Sequence, residues 1–124
     1  MKMKTLLTFL LSLFLLASCW NSDNYGYPSK VEFGKEGGLK DCPGTSSFYD
    51  VDIHDYNGNG EATISKGEND TIIVTYDWVS VKYKLYRAGL KITALPNTTG
   101  KNRRLYVYLY VDDSFAEIKV TQRR

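Results

Sequence analysis

The chain has 124 residues, 43% hydrophobic and 24% charged, with a formal net charge of +2. That length holds one small domain, and that charge excludes the strongly basic footprint of a nucleic-acid-binding domain. Two cysteines are too few for a disulfide framework.

The N-terminus opens with Lys2 and Lys4, then runs apolar from Leu6 to Leu16, broken by Thr8 and Ser12. A bilayer span needs roughly 20 apolar residues, so this run is too short to be one. A positive start, a short apolar core and the small residues Ala17 and Ser18 make a secretory signal over residues 1–18. Leu16-Ala17-Ser18-Cys19 resembles the lipobox of bacterial lipoproteins, whose cysteine is acylated and becomes the first mature residue. That resemblance implies lipidation at Cys19, the membrane as partner through that lipid, and a place in the cell envelope at the outer membrane, on its periplasmic face or the cell surface. Each buried methylene adds about 0.8 kcal/mol, so several acyl chains hold where one is marginal. The other reading is an ordinary signal peptide cut nearby, with Cys19 incidental.

Removing the 18 signal residues leaves 106, with 14 basic and 14 acidic side chains. The charges are unevenly spread. Residues 20–77 carry 4 basic and 11 acidic groups, whereas residues 78–124 carry 10 basic and 3 acidic. Cross-strand pairing between the halves is the plainer expectation, and separate acidic and basic faces the sharper one. Cys42 lacks a partner once Cys19 is lipidated; burial is its default, beside a free thiol or an intermolecular link.

Residues 19–29 are polar and turn-forming and are read as a lipid-anchored tether. Residues 30–124 show period-two alternation and no helical period. The first expected strand is Val31–Phe33, ended by Gly34, with a turn or bulge at Gly37-Gly38. In Phe48–Asp55, Tyr49, Val51 and Ile53 form an apolar row opposite Asp50, Asp52 and His54. Asn57-Gly58 and Asn59-Gly60 signal tight turns. Ala62–Ser65 reads as a return strand, then Lys66–Asn69 as a turn. Further strands are expected at Asp70–Tyr76, Trp78–Tyr86 (Val79, Val81, Tyr83 and Leu85 on one face), Leu90–Leu95, Arg103–Val111 and Phe115–Gln122. Seven or eight short strands between turns predict an all-β, immunoglobulin-like β-sandwich.

Within the second half, Trp78 and Ser80, Leu90-Lys91-Ile92-Thr93-Ala94, Asn97-Thr98-Thr99-Gly100-Lys101 with Arg103, and the closing Ile118-Lys119-Val120-Thr121-Gln122 stand in telling order. With Gly37-Gly38, they resemble the BACON domain of Bacteroidetes. The likeness covers most of residues 31–124, and residues 42–69 match poorly. It implies an immunoglobulin-like sandwich in a bacterial envelope. That family was named for proposed carbohydrate binding, though many members look like spacers. No binding residue transfers from it, because the shared pattern is structural.

The chemistry rests on a tyrosine row. Leu105, Val107, Leu109 and Val111 are the core side of their strand, so Tyr106, Tyr108 and Tyr110 face outward. Aromatic rings stack on the apolar C–H faces of sugars and equally suit protein contacts. Trp78 and Tyr86 are expected to widen the platform if their strand adjoins it, with Lys82, Lys84, Arg103 and Arg104 as a basic rim. The structural reading of the row is that loops or long basic stems cover it, and that tyrosine favours strands. Asp55-x-Asn57-x-Asn59-Gly60 begins like a calcium loop, but its twelfth position is Lys66 instead of glutamate, so a plain hairpin turn is the better account. His54 is the single histidine, and no nucleophile stands in a recognised setting. Asp70-Thr71-Ile72 resembles a short O-glycosylation site of Bacteroidetes envelope proteins, or simply begins a strand. Asn97-Thr98-Thr99 fits the N-glycosylation pattern, without that meaning in a bacterial protein. The chain thus reads as a non-enzymatic envelope binding module for glycan, or alternatively as a protein-interaction, adhesin-like or structural subunit, with no cofactor and no nucleic-acid partner.

Overall fold

A computed structural model describes residues 24–55, 57 and 63–124. The signal segment and Cys19 lie outside them, and among the described residues no helix is long and apolar enough to cross a membrane. Among the described residues nine strands follow in order: β1 (Lys30–Phe33), β2 (Gly38–Ser47), β3 (Asp50–His54), β4 (Thr63–Lys66), β5 (Thr71–Tyr76), β6 (Val79–Lys84), β7 (Ala88–Ala94), β8 (Arg103–Val111) and β9 (Ser114–Gln122). They form two open sheets, β1-β9-β8-β3 and β2-β7-β6-β5-β4. The protein is an all-β, immunoglobulin-like sandwich, as the alternation predicts.

Alternation sorts the faces. Leu105, Val107, Leu109 and Val111 of β8 and Ala116, Ile118 and Val120 of β9 are buried against Val79, Val81 and Tyr83 of β6 and Leu90, Ile92 and Ala94 of β7. Each such large apolar side chain contributes about 1.5–3 kcal/mol on burial. The first strand pairs in parallel with the last, Val31 opposite Val120. The core cluster lies entirely between Tyr27 and Val120, so a chain beginning at residue 20 keeps all of it.

Strand β2 is not expected from the sequence. Gly38, Pro43 and Gly44 read as turn residues, yet Gly38–Cys42 pair in register with Ala94–Leu90. The register shifts between Cys42 and Ser47, so Pro43, which has no N–H to donate, sits in the irregular stretch. Cys42 points inward opposite Leu90 and is buried, which settles its place. Burial pushes its thiol up to about 11, so it stays protonated at neutral pH.

Two side chains of the expected rows lie elsewhere. Tyr49 is exposed, and Phe48 takes its inward place beside Val51 and Ile53. Alternation holds only inside a strand, and β3 begins at Asp50. Phe48 precedes it and packs against Tyr83, ring centroids 4.8 Å apart. Leu85 is exposed as well, because β6 ends at Lys84 and Leu85-Tyr86 make the turn.

Packing also begins before residue 30. Tyr27 is buried; its hydroxyl donates to the Ser46 carbonyl at 2.6 Å and accepts from the Gly89 N–H at 2.9 Å. A Cβ on Gly44 would meet the Tyr27 ring at 2.2 Å, so a glycine is required there. The Asn24 side chain bonds both backbone groups of Glu117. The last residues expected in the tether are therefore part of the domain.

Candidate functional site

The outward face of the four-stranded sheet carries the tyrosine row. Register places Asp50, Asp52 and His54 of β3 opposite Tyr110, Tyr108 and Tyr106 of β8. On the other side Tyr110, Tyr108 and Tyr106 face Phe115, Glu117 and Lys119 of β9. The rings form a connected series. Tyr49 and Tyr110 lie 6.3 Å apart between centroids, Tyr110 and Phe115 6.4 Å, and Tyr108 and Phe115 stack at 4.8 Å. His54 meets the edge of Tyr108 at 4.4 Å and lies 6.5 Å from Tyr106.

Exposure along the series is graded. Tyr49 is 56% and Phe115 48% exposed, Tyr108 and Tyr110 are half-buried, and Tyr106 is only 9% exposed. The open part of the row is therefore Tyr49, Tyr110, Phe115 and Tyr108. Tyr106 is outward by register and buried in fact, which corrects its expected role as a contact residue. Phe115 was legible, being opposite in phase to Ala116, Ile118 and Val120. Tyr49 was not, since the chain breaks alternation just before β3.

Polar groups fix the rings. The Tyr110 hydroxyl donates to Asp52 Oδ2 at 2.8 Å, and the Tyr49 hydroxyl to the Asp112 carbonyl at 3.1 Å. That bond to the Asp52 carboxylate, with partial burial, pushes the Tyr110 phenol up to about 12. It stays a neutral donor at any physiological pH. Asp50 accepts the Val51 N–H at 2.9 Å. The result is an open aromatic strip edged by carboxylates that can accept hydroxyl protons.

Trp78 and Tyr86 do not extend this strip. Their segment belongs to the other sheet. Trp78 is buried, with the Arg103 guanidinium 4.5 Å above its ring. Tyr86 stands 85% exposed in the β6–β7 turn. The expected basic rim is likewise divided: Lys82 and Lys84 lie on the five-stranded sheet, Arg104 on the tyrosine sheet, and Arg103 over Trp78.

The loop Asp55–Gly60 lies partly outside the described residues, Asn59 among those not described. Within it, Asp55 Oδ1 accepts the Asn57 N–H at 2.8 Å, a local turn bond. Among the described residues no three of His, Cys, Asp and Glu gather to hold a metal ion. Thr71 is buried at the start of β5, and Asn97 is buried beneath its own loop. Among the described residues, the ion pair Lys30–Glu32 at 3.0 Å lies within β1.

No protein-family profile matches the chain, and no curated protein matches it. Two solved structures are similar in fold. One is a Bacteroides ovatus GH5 xyloglucanase in complex with a XXXG heptasaccharide, at 15% identity and TM-score 0.47, over 77% of this chain and 17% of that one. The chain thus spans about a sixth of that enzyme. The other is an NMR structure of a protein from Bacteroides thetaiotaomicron, at 16% identity and TM-score 0.47, over 79% and 82% of the two chains. These are weak structural ties to Bacteroidetes proteins, for a small all-β domain loosely of immunoglobulin type.

Proposed function

We propose that this chain is a non-catalytic envelope module that binds glycan on the strip Tyr49, Tyr110, Phe115 and Tyr108, and that lipid on Cys19 anchors it at the outer membrane. The carrying observation is the strip itself: connected, open aromatic rings beside Asp50 and Asp52. Contiguous exposed apolar surface on a small domain marks a contact site. Flat rings take the C–H face of a pyranose, and the carboxylates orient its hydroxyls. The BACON-like motifs support a setting of this kind.

Affinity electrophoresis of residues 20–124 through a panel of polysaccharides tests the site. Wild type is expected to be retarded on at least one polymer. Tyr49→Ala/Tyr110→Ala/Phe115→Ala is expected to run freely while keeping its circular dichroism, because two of the three side chains are largely exposed. Tyr86→Ala is expected to behave as wild type. Equal retardation of the triple variant would reject the strip. No retardation on any polymer would leave a protein partner as the reading.

The anchor has its own test. In a Bacteroidetes host fed radiolabelled palmitate, the chain should take up label and sediment with membranes, and Cys19→Ala should do neither. Membrane-free, unlabelled wild type would end the lipoprotein reading.

A further inference from the structure

The opposite face of the sandwich has a different chemistry. On the five-stranded sheet, the outward positions of β6 and β7 carry Lys82, Lys84 and Lys91, and Arg87 follows in the turn. Lys82 lies directly opposite Lys91. Like charges so placed repel, and the fold gains nothing from them. Two carboxylates stand near these cations: Asp41 lies opposite Lys91 on the neighbouring strand, and Asp70 borders Leu85 and Tyr86. None of these cations is in an ion pair among the described residues.

Beside the cations stands Tyr86. Among the described residues, six non-glycine residues have positive φ; four are Asn or Asp, which tolerate it, and the others are Tyr25 and Tyr86. Tyr25 packs against the core, but Tyr86, at φ 63, is 85% exposed and recovers nothing by packing. Strain without a packing return marks a site held for contact. Leu85 is exposed next to it.

The chain enters the domain at this end: Asn24 bonds Glu117 of β9, and Tyr27 bonds Gly89 just beyond the β6–β7 turn. Cys19 precedes Asn24 by five residues. An extended chain of that length reaches at most roughly 18 Å. A lipid on Cys19 would therefore hold this end within about two helix diameters of a bilayer.

We infer that the outward face of the five-stranded sheet rests on anionic phospholipid head groups. Lys82, Lys84, Arg87 and Lys91 meet the phosphates, and Leu85 and Tyr86 enter the interface. The aromatic strip, with Asp50 and Asp52, is on the other face and is turned toward solvent. The inference deepens the reading of a lipid-anchored module and rests on it for orientation.

The test uses residues 20–124, which carry no lipid, sedimented with vesicles of phosphatidylcholine alone or mixed with phosphatidylglycerol. Binding to the mixed vesicles only is expected, weakened by salt. Each juxtamembrane cation changes partition about fivefold, so Lys84→Glu/Arg87→Glu should lower binding at least about 25-fold. Lys35→Glu/Lys101→Glu, at the far end, should bind as wild type. Tyr86→Ala should weaken binding and leave the salt dependence intact. Equal binding to both vesicle types, binding to neither, or equal loss in both charge variants would overturn the inference. So would retention on heparin without binding to vesicles, which would assign the face to an anionic polymer. Because the tested chain lacks Cys19, failure here is separate from failure of the palmitate experiment.

Discussion

Asn97→Ala is expected to lower the unfolding free energy by about 3 kcal/mol, read as a drop in the urea midpoint at unchanged slope. Asn97 is 1% exposed and uses its whole side chain. Its Nδ2 donates to the carbonyls of Lys101 at 2.7 Å and Arg123 at 3.0 Å. Its Oδ1 accepts from the Thr99 N–H at 3.0 Å and hydroxyl at 2.7 Å. Truncation leaves these partners without the group that shields them from needing water. The two on Thr99 are near the surface and rehydrate, which keeps the cost to about two lost bonds rather than four. Asn97→Asp keeps the shape but sets an acceptor against two carbonyls, so at neutral pH it should cost at least as much. A loss below about 1 kcal/mol for the alanine variant would show that the loop is not clamped by this side chain. Glycan retardation by the folded fraction should be unchanged, since Asn97 lies at the end of the sandwich away from Tyr49 and Phe115.

Gly37→Ala should be comparably damaging. Gly37 has φ +77, and a Cβ there would lie 2.2 Å from the Ala94 carbonyl oxygen and 2.8 Å from the Leu95 carbonyl carbon. Neither can yield easily: Ala94 is paired to both Gly38 and Val79, and Leu95 N–H bonds the Trp78 carbonyl at 3.0 Å. The left-handed backbone alone costs an alanine roughly 1–2 kcal/mol, and the overlap with backbone adds about 1–3 more. Gly38→Ala is the comparison without overlap: no atom lies within 4 Å of its added Cβ, although its φ of +133 is also a glycine conformation. It should lose only the conformational part. Thermal unfolding of the two variants side by side decides this; a smaller loss at Gly37 than at Gly38 would contradict the steric account.

These two sites belong to one unit. Asn97 N–H bonds the Lys35 carbonyl at 2.7 Å, and Gln122 Nε2 donates to Gly34 at 3.1 Å and Leu95 at 2.8 Å. Arg103 Nε in turn donates to Gln122 Oε1 at 2.8 Å while its guanidinium covers Trp78. Gly34, Asn97, Arg103 and Gln122 thus tie together the β1–β2 turn, the β7–β8 loop and the end of β9. They hold this end of the sandwich, apart from the strip proposed to bind.

Local pattern determined much of this protein. Period two in Leu105–Val111 assigned its inward row correctly, because side-chain direction along a strand is dictated by the backbone itself. Turn-forming pairs and strand spacing determined the sandwich. Three features were decided only by tertiary structure. Strand β2 exists because β7 offers an edge that Gly38–Cys42 can pair with, despite poor strand propensity. Trp78 and Tyr86 are parted from the tyrosine row because β6 and β8 lie in different sheets, a long-range pairing that no local period encodes. The open strip is Tyr49 to Tyr108 rather than Tyr106 to Tyr110, since alternation states which way a ring points and only the assembled surface sets how much of it water reaches.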